Sequence, residues 1–90
     1  MHAVVITVDF KPGREAEQES GLDLVVAATK EQAGFVSGTW VGNDTHGLCL
    51  LKFTDEASAR SAATAVNPPP EAPVALRSVD VYAVAAEAAV

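Results

Sequence analysis

The chain is short of the devices that usually reinforce a small domain. Cys49 is the only cysteine among 90 residues, which excludes an internal disulfide. The other soft or imidazole ligands are His2 and His46 alone, too few for a structural zinc site, so no metal is expected. Basic residues are scarce: six Lys and Arg stand against twelve Asp and Glu, a formal net charge of −6. Such a surface repels phosphate backbones and anionic lipid, so neither nucleic acid nor a membrane is an expected partner. No apolar run approaches the ~20 residues that a membrane-spanning helix needs. The opening Met-His-Ala-Val-Val has no basic n-region and no cleavage site, so no signal peptide is expected. A lone cysteine without secretion signals fits a reducing cytoplasm. The glycines are spread singly at turns and form no phosphate-cradling loop, and no Ser-His-Asp or paired-carboxylate signature can be read from spacing.

What is present is a globular composition: 49% of residues are hydrophobic, too many for a disordered chain. The length suits one domain, residues 1–90, with one core. A chain this short buries only roughly 60–65% of the surface that its unfolded form exposes. With disulfide and metal set aside, a partner subunit is the remaining source of stability.

The elements follow from turn chemistry and period. Residues 2–10, His-Ala-Val-Val-Ile-Thr-Val-Asp-Phe, read as a strand stopped by Lys11-Pro12-Gly13. Arg14 to about Ala33 is acidic early and carries Lys30 late, which suits a helix dipole. Leu22, Val25, Val26 and Thr29 fall on one helical face, Gly21 weakens the first turns, and Gly34 is the stop. Phe35–Val41 and Leu48–Phe53 are strands joined by the turn formers Gly42 to Gly47, hence a hairpin. Thr54 or Asp55 caps a second helix to about Val66, with small residues Ala59, Ala62 and Ala63 on its apolar stripe. Asn67-Pro-Pro-Pro-Glu-Ala-Pro73 is a stiff extended connection. Val74–Val84 is the last strand, followed by an Ala-rich tail that is either frayed or a short packed arm. The expected class is α+β with order βαββαβ: a ferredoxin-like, four-stranded antiparallel sheet with two helices on one face.

Both faces of that sheet read as apolar. Val4, Ile6, Val8 and Phe10 share one face of the first strand, while Ala3, Val5 and Thr7 share the other. Leu48 and Leu50 oppose Cys49, Leu51 and Phe53; Val79, Val81 and Ala83 oppose Leu76, Tyr82 and Val84. A sheet with one wet face alternates to polar, and this one does not. The helices cover one face. A second copy of the chain is the economical cover for the other, giving a homodimer, and the competing cover is the Ala-rich tail.

At this point the chain resembles the dimeric α/β-barrel superfamily, in particular small proteins of the antibiotic biosynthesis monooxygenase type. The resemblance spans nearly the whole chain. It rests on Phe10-Lys11-Pro12-Gly13-Arg14-Glu15, on Gly34-Phe35 opening the second strand, on Phe53-Thr54-Asp55-Glu56-Ala57, and on Val79-Asp80-Val81-Tyr82. It implies two sheets packed face to face across a dimer, with a pocket between helices and sheet in each subunit. The activities it implies are cofactor-independent oxygenation of aromatic molecules or haem degradation, and relatives without known activity are included. Active relatives commonly carry Trp at the end of the third strand, where this chain has Phe53. The haem-degrading group has an Asn on the first strand and a His on the second helix. This chain has neither, so no haem, and no other cofactor, is expected.

The ligand-binding candidates are Trp40, Phe53 and Tyr82. Trp40 offers a flat surface to a ring, or else a core or interface residue; Tyr82 offers a hydroxyl, or else a ring packed at a strand end. No catalytic residue is assigned: His46, beside Asn43 and Asp44, and Tyr82 are the candidates, with a solvated turn histidine as the alternative for His46. Cys49, within an apolar strand, reads as a small buried thiol rather than a nucleophile. Asp9, Asp80 and Arg77 are polar residues on strands that this fold makes neighbours; they read as strand-end charges in water, with a cluster of the three as the alternative. Two functions are consistent with these residues. One is a monooxygenase-like enzyme without cofactor, in which an aromatic substrate's own carbanion reacts with dioxygen in an apolar pocket. The other is a non-catalytic dimeric module for an apolar small ligand or a partner protein.

Overall fold

A computed structural model describes all residues, 1–90. The element order is β1 (His2–Phe10), α1 (Glu15–Lys30), β2 (Phe35–Gly42), β3 (His46–Phe53), α2 (Glu56–Thr64) and β4 (Val74–Ala83). All neighbouring strands are antiparallel, in the order β2-β3-β1-β4, with the first strand central. This is the ferredoxin-like α+β arrangement expected from the sequence. No helix is long and apolar enough to cross a membrane.

Backbone chemistry fixes the joints. Gly13 and Gly34 have φ of +77° and +76°, the left-handed region that favours glycine, and each stands at a joint between strand and helix. Gly34 also leaves no room for a Cβ, which would lie 2.5 Å from Ser58 Oγ at the start of α2. In the hairpin turn, Asn43 Oδ1 accepts from the backbone N–H groups of Thr45 and His46, both at 2.9 Å. That is the local side-chain-to-backbone bonding for which Asn is favoured in turns. Asp55 caps α2 by accepting from Ser58 N–H at 2.7 Å. The backbone N–H, the Ser58 hydroxyl and the Thr54 hydroxyl together hold its carboxyl below the usual carboxylate value.

Two register shifts decide which side chains share a face. In β4, Thr7 pairs with Ser78 and Val8 with Leu76, so Arg77 is an extra residue. Leu76 is thereby brought to the register of Val8, whereas simple alternation puts it with Tyr82. Arg77 Nη1 lies 3.6 Å from Asp9 Oδ1, while Asp80 pairs in register with Val5, away from that contact. In β2, Phe35 pairs with Phe53 and Ser37 with Lys52, so Val36 is the extra residue. Strict alternation would put Phe35 and Trp40 on opposite faces; the bulge puts both on the helix side.

The core lies between sheet and α2: Val4, Ile6, Leu51, Phe53, Ala59 and Ala62. Ala59 is fully buried, because small side chains let α2 approach the strands closely. Phe53 is also fully buried and meets Phe35 edge-on, ring centroids 5.8 Å apart. The first helix behaves differently. It has no buried residue, and Leu22 and Val25 on its apolar stripe remain 42% and 50% exposed. It is held at its N-terminal end instead. Gln18 Nε2 donates to the Lys11 and Pro73 carbonyls at 3.2 Å each, and Arg14 Nη1 donates to the Ala72 carbonyl at 3.1 Å.

Candidate functional site

The stand-off of α1 leaves a cavity of about 680 Å³ between both helices and the sheet. That lies within the range of small-molecule sites, roughly 300–1,000 Å³. Its floor is the helix-side face of the sheet: Ile6, Val8, Trp40, Cys49 and Leu51, with Phe53 at its inner end. One wall is α1, through Leu22, Val25 and Thr29, and the other is the end of α2, through Ala62 and Val66.

Two glycine sites shape the floor. A Cβ on Gly38 would sit 2.8 Å from Trp40 Cη2 and 3.0 Å from Leu51 Cδ2, so the indole lies folded over Gly38. A Cβ on Gly47 would sit 2.8 Å from Phe10 Cζ, and one on Gly42 3.1 Å from it. The Phe10 ring thus rests on the bare backbone of the Gly42–Gly47 pair. Both rings occupy space that a side chain at these glycine positions would take.

The sequence candidates divide between the two faces. Trp40 and Phe53 line the cavity, Trp40 half-buried and Phe53 as part of its fully packed end. Tyr82 pairs in register with Ala3, on the opposite face, and is 54% exposed, so its hydroxyl does not reach the cavity. His46 opens β3, paired with Asp9, and its Nδ1 lies 2.9 Å from Thr45 Oγ1. It does not line the cavity either. The half-buried Cys49 does, and burial pushes its thiol above the usual value, so it is a weak nucleophile at neutral pH.

Sequence reasoning missed the polar rim. Glu15, Gln18, Glu19, Gln32 and Asn67 line the cavity, as does Phe10. The signal was available. Glu15, Gln18, Glu19, Leu22, Val25, Thr29 and Gln32 form one continuous stripe at helical spacing, and only its apolar middle drew notice. Gln18 has both donor bonds directed at carbonyls, and Thr29 Oγ1 donates to the Val25 carbonyl at 2.7 Å, so both side chains are oriented by the backbone.

The other face of the sheet carries Val5, Leu48, Leu50 and Val41. Leu48, Leu50 and Val41 are 37%, 39% and 56% exposed. The Ala-rich tail turns back along one end of this face. Glu87 Oε1 accepts from Lys52 Nζ at 2.8 Å, and residues 84–89 share a cleft with Ala3, Val5 and Leu50. The tail therefore runs along part of the face, tied at Glu87 while residues 85–90 stay exposed, and leaves Leu48 and Val41 open.

No protein-family model matches the chain, and no curated protein matches it. The fold and these two faces thus define its class: a ferredoxin-like α+β domain with one apolar cavity and one half-covered apolar sheet face.

Proposed function

We propose that the protein is a homodimeric small-molecule-binding protein of the dimeric α/β-barrel type, taking an apolar or aromatic ligand between its helices and sheet. The carrying observation is the cavity of about 680 Å³ floored by Trp40 and aliphatic side chains beneath a helix with no fully buried residue. A closely packed α1 would bury Leu22 and Val25; a bound ring would do so in its place. The exposed Leu48, Leu50 and Val41 support pairing of two sheets face to face, because a monomer would leave a continuous apolar strip in water.

Cofactor-independent monooxygenase-like chemistry is the second reading. It is favoured by the apolar floor, which would strip water from a substrate carbanion while the polar rim holds the ring in place. The reaction would turn one ring methylene into a carbonyl, with one dioxygen consumed and one water released. No titratable side chain reaches the sheet floor except the Cys49 thiol, so binding is the better supported of the two.

Trp40 is the only tryptophan and reports on the cavity directly. Titration with anthrone should quench its emission saturably, and an unchanged emission up to the solubility limit would count against a ring site. Oxygen uptake with the same compound separates the two readings. Light scattering should give twice the 9.3 kDa chain mass, and Leu50→Asp should return it to one; a wild-type monomer at micromolar concentration would remove the dimer.

A further inference from the structure

The charge around the cavity selects among apolar ligands. Two carboxylates line it, Glu15 and Glu19, and no Lys or Arg does. They stand four residues apart on α1 and so project from the same helical face, an arrangement of like charges that weakens an isolated helix. Neither has an ion-pair partner; the acidic residues that do are Asp9, Glu17, Glu56 and Glu87. The nearest cations in sequence are engaged elsewhere. Arg14 bonds Glu17 and the Ala72 carbonyl, and Lys11 donates its ammonium to the Pro70 carbonyl. Gln18 and Gln32 beside them are neutral. The cavity therefore joins an apolar, Trp-bearing floor to an anionic rim with no cation to balance it.

We infer that the ligand is a hydrophobic cation, an aromatic or alicyclic body carrying an amine, with the body on Trp40 and the ammonium between Glu15 and Glu19. This rests on the cavity being the ligand site. The aromatic face of Trp40 adds to the preference, since a ring quadrupole attracts cations as well as apolar surface. An anionic ligand of the same shape would meet the carboxylates without compensation.

The test uses three probes of one shape: 1-pyrenemethylammonium, 1-pyrenemethanol and 1-pyrenecarboxylate. Each is titrated into the full chain and read by energy transfer from Trp40. The ammonium should bind more tightly than the alcohol by about fivefold, the size expected of one or two partly solvated ion pairs, and the carboxylate more weakly than either. In Glu15→Gln/Glu19→Gln the ammonium should fall to the affinity of the alcohol, whose own affinity should not change. Asp44→Asn/Glu71→Gln removes the same charge away from the cavity and should leave the ratio intact. Equal affinities for the three probes, or a preference that survives loss of Glu15 and Glu19, would overturn the inference while leaving an apolar binding site in place. If the alcohol also gives no energy transfer, the cavity is not a ligand site and both readings fall.

Discussion

Substituting Gly38 by Ala probes the floor of the cavity with one methyl group. The backbone there is ordinary strand, so Ala is conformationally allowed and should itself gain about 0.5–1 kcal/mol over Gly. Against this, the new carbon would lie 2.8 Å and 3.0 Å from two atoms of the Trp40 indole and 3.0 Å from Leu51 Cδ2. Carbon atoms rest at about 3.5–4.0 Å, so something must move by about 0.5–1 Å. Leu51 is 5% exposed within the core and has nowhere to go. The indole borders the cavity and is the softer neighbour, so it swings off the floor into the space. Overpacking of this kind costs about 1–3 kcal/mol. After the gain from Ala, the net loss should be about 1 kcal/mol. With a urea dependence of about 1 kcal/mol per molar for so small a domain, the unfolding midpoint should fall by about 1 M. Trp40 emission should shift, and affinity for a pyrene probe should drop because the ring now fills part of the site. A variant as stable as wild type, with unchanged emission and unchanged probe affinity, would refute the placement of Trp40 over Gly38.

Other outcomes follow from the same geometry. Phe53→Ala removes a fully buried ring with an edge-on partner, and should cost about 3–5 kcal/mol in a urea titration, whereas Val25→Ala, on a half-exposed helix face, should cost under about 1 kcal/mol. Asp55→Ala should lower the urea midpoint, and the gap to wild type should depend on pH. The folded carboxyl titrates below its ordinary value of 3.8, so its contribution is complete above that pH and disappears as the pH falls through the lower, folded value. A gap that persists unchanged in strong acid would contradict the cap. Cys49 should react with iodoacetamide more slowly than an unfolded thiol at neutral pH, because burial raises its thiol and lowers the thiolate fraction. Pyrenemethanol should slow it further, and protection absent at saturating probe would place the probe outside the cavity.

Much of the fold was legible because it depends on local chemistry. Lys11-Pro12-Gly13, Gly34, Asn43 with its turn, and the Pro68–Pro73 run each punctuate the chain by a backbone preference that no distant contact has to supply. The strand faces were legible where alternation is unbroken, as in β1. They were misread for Leu76, because an extra residue in one strand exists only relative to a partner strand and leaves no period of its own. The site was legible in part. Trp40 and Phe53 stood out as rings on apolar strands, and Tyr82 stood out equally, yet it lies on the far face. Glu15, Glu19 and Gln32 were overlooked because polar residues on a helix stripe look like solvent-facing ones until an opposing wall is known.

By itself, the amino-acid order determined the element sequence βαββαβ, the joints between elements, and the presence of more apolar strand surface than two short helices can cover. These are properties of neighbours along the chain: φ preferences, caps and periods of 2 or 3.6 residues. Tertiary structure decided two further things. The extra residue at Val36 turned Phe35 and Trp40, positions of opposite parity, to the same side, where Phe35 packs on Phe53 and Trp40 lines the cavity. And α1, tied at Gln18 and Arg14 to the Pro-rich connection, was held off the sheet so that a cavity opened instead of a second layer of core. Both depend on which strands and loops meet across the fold, and a distance between segments is not a quantity that any local run of residues contains.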